Sequence, residues 1–317
     1  MPFQQDDDVA LRTAREHWDL PEPLEIVTTI KHGSNSDVWL ISDGTGRRHI
    51  LKYAHTPAPA TYQANLLAAE HVEKITGIPT GSPLRTRDGR LVVMLAADAG
   101  RSLPLSVLSY VPGRMVGPTH DIDAEAAARL LARVHQALSS FTRPVPDVLK
   151  YLDNETIDIA HERLLRPAIR RVAAEIRALE SVTWGICYGN LPEIIDRGDG
   201  TFGLVDWATV MHAPLVWDVD TWLDALPLEA DRRRFVEVYA EYGLVAEPEL
   251  REPEPILRLR SAQNVKLRAF RLLHSGHYQR TTDHDVEELH REALEIGVTI
   301  PCTDHAVCRG EPYERQR

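Results

Sequence analysis

Residues 182–222 constrain the fold more than any other stretch of the chain: VTWGICYGNLPEIIDRGDGTFGLVDWATVMHAPLVWDVDTW. An apolar strand runs into the tight polar loop Tyr188-Gly189-Asn190, and a short hairpin follows. The second strand of that hairpin ends at Asp206, and another carboxylate follows at Asp218. Because a hairpin brings the chain back to where it began, we expect Asp206 to lie beside the polar loop.

The composition is that of a globular chain. With 317 residues, 43% of them hydrophobic and 26% charged, it can bury one large or two ordinary domains. No run approaches the roughly 18 apolar residues of a membrane span, and the acidic start MPFQQDDDVA is unlike a signal peptide. We therefore expect a cytoplasmic protein without a membrane partner. The net charge of −11 argues against nucleic acid as a partner and favours a cationic or neutral substrate.

The first third of the chain predicts a small β-rich lobe. Leu24–Lys31, Asp37–Ser42 and His49–Tyr53 are β-leaning runs separated by polar turns, which predicts three antiparallel strands. The linker that holds Gly33 and Ser34 has the size to lie over phosphates and offer them N–H groups. With a single Gly it is a poor phosphate-loop signal by itself, and an ordinary hairpin turn is the favoured interpretation of this linker alone.

Lys52 stands out by its place at the end of the third predicted strand. The chain has 31 Arg and only 5 Lys, and a compact ammonium on a flexible stem can reach phosphate oxygens from a strand. The alternative is a solvated strand end. The next segment, Ala60–Thr76, predicts a helix on which Glu70 or Glu73 could pair with Lys52. Glu70 is the preferred partner because it falls among apolar residues.

Two further strands and a helical region complete the organisation. Strands are predicted at Arg90–Leu95 and Leu103–Tyr110, and Pro112-Gly113 then stops the chain at a natural lobe boundary. Helices are predicted at Asp123–Phe141 and within Glu155–Leu179, followed by Leu228–Tyr242, Pro255–Tyr278 and His284–Ile296. These patterns divide the chain into a β-rich lobe over 1–111, a helical lobe over 112–300 and a polar tail over 301–317.

Several of these motifs, in this order, carry a resemblance to a known family. They are the strands that end in Lys52, the hinge Leu108–Gly113, the helix that ends in Leu131–Leu138, the loop Tyr188–Asn190 and the run Gly203–Trp207. Over roughly residues 20–300 the chain resembles the aminoglycoside phosphotransferase and choline-kinase-like superfamily. The resemblance implies an α+β, bilobal protein-kinase-like fold, with a small antiparallel N-terminal lobe and a larger, mainly helical C-terminal lobe.

The resemblance also implies roles for single residues. Lys52, held by Glu70, would bind the phosphates of ATP or GTP, beneath Gly33 and Ser34. Ser109 and Val111 would offer hinge backbone to the adenine ring. Asp206 would bind Mg²⁺ and Asp218 would buttress the polar loop.

The polar loop departs from the family pattern at three points. Asn190 stands where the family has the Asp that activates the acceptor, Tyr188 replaces a His, and the metal-binding Asn has no counterpart. Glu193 is the nearest replacement oxygen ligand. An amide cannot take a proton at neutral pH, and general-base help is worth about 10²–10⁴-fold in rate. Positioning and metal electrostatics supply most of the acceleration in phosphoryl transfer, so a slow kinase remains physically possible.

Two function classes follow from this pattern. In the first, the protein transfers the ATP γ-phosphate to a hydroxyl of a small molecule or of a peptide Ser/Thr. In the second, it is a pseudokinase whose cleft binds a partner protein, for example as a recognition subunit in bacterial natural-product assembly. A plain helical binding protein with accidental motif matches is a third, weaker interpretation.

Overall fold

The structure is a computed structural model, which describes residues 7–32, 36–55, 58–96, 102–116, 122–251, 253–273 and 283–301. The amino-terminal part forms a five-stranded antiparallel sheet in the order β1-β2-β3-β5-β4. Its strands are β1 (Glu25–His32), β2 (Ser36–Ser42), β3 (Arg48–Ala54), β4 (Val93–Ala96) and β5 (Ser102–Ser109). The strands predicted from the sequence in this region are confirmed.

The turn between β2 and β3 fixes how these strands pair. Asp43 Oδ1 accepts hydrogen bonds from the N–H groups of Thr45 at 2.9 Å and Arg47 at 3.0 Å. Gly46 takes a φ of +80°, a conformation that glycine adopts at little cost. The resulting register places Lys52 opposite Val38 in the sheet.

The two faces of the sheet have different partners because side chains alternate along a strand. One face, which includes Trp39 and Leu51, packs in a buried cluster with α1 (Asp7–His17). The sequence analysis did not predict α1; its first residue accepts a hydrogen bond from Trp39 Nε1 at 2.8 Å. The other face, which includes Ile50 and Lys52, lines a cleft.

Helix α2 (Pro59–Thr76) connects the sheet to the rest of the protein. Its predicted boundaries are confirmed to within one residue, and Gly77 ends it with a φ of +71° while donating its N–H to Glu73 O at 2.8 Å. Tyr62 and Leu66 on α2 face the cleft, while Ala68 and Val72 join the core of the helical part.

The carboxy-terminal part is mainly helical, with two small antiparallel sheets of order β6-β8-β9 and β7-β10. The strands are β6 (Arg114–Val116), β7 (Trp184–Cys187), β8 (Glu193–Asp196), β9 (Phe202–Val205) and β10 (Met211–Pro214). The helices are α3 (Ala124–Leu138), α4 (Val148–Asp153), α5 (Glu162–Arg177), α6 (Val216–Leu223), α7 (Glu229–Ala240), α8 (Glu247–Arg251), α9 (Glu254–Leu273) and α10 (Asp283–Glu295). No described helix is both long enough and apolar enough to cross a membrane.

Helix α3 forms the centre of the helical core, as its sequence predicts. Asp123 caps it by accepting a hydrogen bond from Ala126 N at 3.1 Å. Leu131 and Val134, at helical spacing, are completely buried. His135 shares this buried side of the helix and is 3% exposed.

Helix α4, which the sequence did not predict, depends on a buried lysine from α9. Lys266 is 1% exposed, and its Nζ donates to the carbonyls of Tyr151 at 2.5 Å, Leu152 at 3.0 Å and Asn154 at 2.7 Å. These carbonyls lie at the end of α4, where a helix leaves its last acceptors unpaired and where a cation is favourable. Lys266 therefore caps α4 from a distance of more than 100 residues along the chain.

We expect Lys266→Met to lower the free energy of unfolding by about 3 kcal/mol, because the carbonyls of Tyr151, Leu152 and Asn154 lose the buried ammonium that donates to them. Urea unfolding measures this change. Lys150→Met, at an exposed lysine of α4, is the control and should change stability by less than about 0.5 kcal/mol. Equal stability of the two variants would show that Lys266 does not cap α4.

Candidate active site

A cleft of about 960 Å³, partly open to solvent, lies between the amino-terminal sheet and the helical part. Apolar side chains form most of its walls. The residues that line it are Ile30, Ser36, Val38, Ile50, Lys52, Tyr62, Leu66, Ala69, Thr80, Gly81, Leu108, Ser109, Tyr110, Val111, Met115, Glu193, Ile195, Val205, Asp206 and Trp207.

Lys52 and Asp206 meet in this cleft, although 154 positions separate them. Lys52 Nζ donates to Asp206 Oδ1 at 2.7 Å, and the two side chains are 9% and 20% exposed. Burial disfavours the charged lysine, but the Asp206 carboxylate together with Tyr62 and Glu193 outweighs this effect, so the pKa of Lys52 is raised. The ammonium therefore stays charged in the cleft. The expectation that both residues face one cleft is confirmed.

Glu70 does not hold Lys52, and this prediction is wrong. Its carboxylate accepts two hydrogen bonds from Arg85 Nη2, at 2.7 and 2.8 Å, and is 37% exposed. Glu73 accepts from Ser82 Oγ at 2.7 Å instead. The face of α2 that meets the cleft carries Tyr62 and Leu66, so no α2 carboxylate reaches the lysine.

Glu193 lies in the cleft with Asp206. The register of β8 and β9 places Glu193 opposite Val205, the residue before Asp206. Both carboxylates line the cleft with Lys52 and stabilise its positive charge. Their oxygens are hard ligands of the kind that Mg²⁺ prefers, so this donor set suits a divalent cation.

The polar loop after β7 is held by one buried carboxylate. Asp218 is completely buried, and it accepts hydrogen bonds from Tyr188 N at 2.6 Å and Gly189 N at 2.8 Å. Its Oδ2 also contacts His135 Nε2 at 2.9 Å, and His135 Nδ1 contacts Tyr239 Oη at 2.7 Å. Asp218 thus makes the contacts expected of a buttress.

The burial of Tyr239 indicates which groups of this network donate hydrogen bonds and which accept them. Burial raises the pKa of Tyr239, so its hydroxyl keeps its proton and donates to His135 Nδ1. His135 Nε2 then donates to Asp218. Cys187 Sγ also lies within 4.8 Å of His135 and Asp218 ligand atoms. Because both nitrogens of His135 already have hydrogen-bond partners, we interpret the cluster as structural.

Asn190 follows the buttressed part of the loop. Its Oδ1 accepts a hydrogen bond from Leu191 N at 3.0 Å. Gly189, with a φ of +78°, admits no side chain, because an added Cβ would lie 2.3 Å from Thr209 O. The loop backbone is therefore held by Asp218, through its N–H groups, and is packed closely against Thr209.

The predicted hinge residues Ser109 and Val111 also line the cleft, but only one of them has a free backbone N–H group among the described residues. Ser109 N already donates to Ser82 O at 2.9 Å, so it has no N–H to offer a ligand. In the part of the chain that the structure describes, Val111 N has no such partner. Gly33 and Ser34, predicted to cover phosphates, lie outside the described residues.

Sequence reasoning missed two residues of the site. Asn65 on α2 is 1% exposed and its Nδ2 donates to Ala208 O, two residues after Asp206, at 2.7 Å. The amide stands among leucines and alanines in the sequence, and this polar residue on an apolar face was the available signal. Tyr62 Oη bonds Ser106 Oγ at 2.7 Å behind Lys52, a contact that no spacing reveals.

A profile of the phosphotransferase enzyme family matches residues 26–255. The chain belongs to this family. No curated protein sequence matches the chain. The phosphotransferase fold is also seen in solved structures at low sequence identity.

The amicoumacin kinase hAmiN, in complex with AMP-PNP, Ca²⁺ and Ami, is 19% identical, with a TM-score of 0.67 over 92% of this chain and 93% of that chain. A microcompartment-associated aminopropanol kinase is 16% identical, with a TM-score of 0.68 over 92% and 95%. Choline kinase LicA from Streptococcus pneumoniae is 14% identical, with a TM-score of 0.60 over 91% and 97%. These likenesses confirm the predicted bilobal α+β fold of the kinase-like superfamily.

We expect Asp218→Asn to lower the free energy of unfolding of this phosphotransferase-family protein by about 2–4 kcal/mol. The side-chain NH₂ group of asparagine would then point at a backbone N–H group at a fully buried position, and neither donor would have an acceptor. Urea unfolding measures the change. Asp19→Asn, at an exposed aspartate, is the matched control and should be nearly neutral. A stable Asp218→Asn variant would argue against the buttress.

Proposed function

We propose that this protein is an ATP-dependent phosphotransferase that transfers the γ-phosphoryl group to a hydroxyl of a small molecule. The contact between Lys52 Nζ and Asp206 Oδ1, at 2.7 Å in the cleft, carries the proposal. A buried ammonium beside one carboxylate, with Glu193 nearby, is the arrangement needed to hold phosphates and a divalent cation together.

The cleft has the walls that a nucleotide base requires. Val38 and Ile50 line it from the amino-terminal sheet, and Met115 and Ile195 line it from the helical part, so a flat ring fits between apolar surfaces. Val111 N offers a donor at the hinge for a ring nitrogen of adenine. ATP is therefore the proposed nucleotide, and GTP is the alternative.

Asp206 and Glu193 are the proposed ligands of Mg²⁺, because carboxylate oxygens suit this cation. Held by these two carboxylates, Mg²⁺ would supply neutralisation of the negative charge on the phosphates. The hAmiN complex with AMP-PNP and Ca²⁺ supports a nucleotide and a divalent cation in this fold. Lys52, which contacts Asp206 directly, would neutralise phosphate oxygens at the same site.

The proposed acceptor is a cationic or neutral small molecule. The similar structures include kinases of amicoumacin, aminopropanol and choline, and the net charge of −11 disfavours an anionic acceptor. A peptide Ser/Thr is the second acceptor class. In this proposal Asn190 accepts a hydrogen bond from the acceptor hydroxyl and orients it, while its proton leaves to solvent.

Asn190 also favours a second candidate function. Without a base in the loop, the cleft could serve as the binding site of a pseudokinase, a cytoplasmic subunit that recognises a partner protein. Nucleotide binding is common to both functions, whereas turnover separates them.

We expect Mg-ATP at millimolar concentration to raise the melting temperature, because a ligand that binds only the folded state stabilises it. Asp206→Ala should abolish the dependence of this shift on Mg²⁺, and Lys52→Met should weaken nucleotide binding with or without Mg²⁺. Glu70→Gln, outside the cleft, is the control and should leave the shift unchanged. No shift in the unmodified protein would contradict nucleotide binding.

We expect Asn190→Asp to raise phosphoryl transfer or ATP hydrolysis by about 10²-fold or more, because it restores a base near the acceptor. An ATP-consumption assay with pooled hydroxyl acceptors measures the rate. A variant that folds and binds ATP but gains nothing supports the pseudokinase. Robust turnover by the unmodified protein with Asn190→Ala equally fast would contradict both roles of Asn190, and Glu193 would then be the residue to test.

A further inference from the structure

Tyr188 connects the polar loop to the segment that carries Asp206. Its side chain is completely buried and packs edge-on against Trp207, with ring centroids 5.1 Å apart. Its hydroxyl donates to Val205 O at 2.5 Å. Burial raises the pKa of Tyr188 well above its usual range, so the phenol keeps the proton that it donates.

The carbonyl that Tyr188 holds belongs to the peptide group that leads into Asp206. Asp206 has a φ of +62°, a conformation that a non-glycine residue keeps only when its surroundings hold it. The flanking backbone is held as well, since Trp207 Nε1 donates to Leu204 O at 2.8 Å and Asn65 Nδ2 donates to Ala208 O at 2.7 Å. Among these contacts, the Tyr188 hydroxyl acts on the peptide plane whose rotation changes the φ of Asp206.

We propose that the Tyr188 hydroxyl is a positioning group for Asp206, which aims the carboxylate at the divalent cation by fixing the Val205 carbonyl. The inference rests on the proposed function, because it gives Asp206 a metal-binding role. Tyr188 would thus maintain the geometry around Asp206, whereas the asparagine at position 190 removes only the base that would take the acceptor's proton.

A purely structural role makes a different prediction. If the ring only fills the core, phenylalanine would fill it equally well, since the two side chains differ by one hydroxyl. Tyr188→Phe therefore removes the hydrogen bond to Val205 O and leaves the packing against Trp207 in place. Val172→Ala, at a buried position of α5, lowers stability without touching the site and is the control for nonspecific loosening.

The first measurement is calorimetric titration of each variant with ATP, with and without Mg²⁺. We expect Tyr188→Phe to weaken the apparent affinity of the ATP-bound protein for Mg²⁺ about tenfold, or about 1.4 kcal/mol. Its affinity for ATP without Mg²⁺ should change less than about twofold. Unchanged Mg²⁺ affinity, or a loss equal to that of Val172→Ala, would overturn the inference.

The second measurement needs no metal or nucleotide. Hydrogen exchange of peptides that cover residues 203–209 should become faster in Tyr188→Phe, while α5 stays protected; Val172→Ala should show the reverse. If the unmodified protein does not bind Mg-ATP, the proposed function fails, and this exchange still decides the positioning role. Equal exchange of residues 203–209 in Tyr188→Phe and the unmodified protein would refute it.

Discussion

The ion pair of Lys52 and Asp206 is the contact that most constrains the arrangement of this protein. Both charges are largely removed from water, and such a pair is favourable only when its geometry recovers the cost of desolvation. The 2.7 Å contact joins a central strand of the amino-terminal sheet to the end of β9 in the helical part. The two parts of the cleft are therefore connected by a direct ionic bond, with no carboxylate from α2 between them.

In the proposed phosphoryl transfer, two tasks fall to different residues. Placement of the reacting groups would fall to Asp218, Tyr188 and Lys52, all of them buried and hydrogen-bonded. Acceptance of a proton is the work of a base, and Asn190 cannot do it. Since placement and electrostatics account for most of the acceleration in phosphoryl transfer, an asparagine at position 190 would leave the larger share of the proposed catalysis intact.

The error at Glu70 shows why a helix partner is hard to choose from sequence. Glu70 and Glu73 stand three residues apart on α2, and either could have faced Lys52. Which side of α2 meets the cleft depends on how Ala68 and Val72 pack in the helical core, and that packing is a long-range property. The same limit applies to α4, whose last carbonyls depend on Lys266 from α9.

The sequence by itself determined the strands of the amino-terminal sheet, the boundaries of α2, most of the later helices and the family. The alternation of apolar and polar residues, the turn residues and helix caps such as Asp123 each involve residues only a few positions apart. They can therefore be recognised from a short stretch of sequence. The sequence also identified Lys52, Asp206 and Asp218 as candidate site residues. Only the tertiary structure decided that Asp206, rather than Glu70, pairs with Lys52. It also decided that His135 and Tyr239 complete the hydrogen-bond network of Asp218. The contact between the Tyr188 hydroxyl and the backbone before Asp206 was likewise decided by the tertiary structure. Each of these contacts joins residues that no short-range pattern relates, because burial and hydrogen-bond geometry between distant elements select the partner.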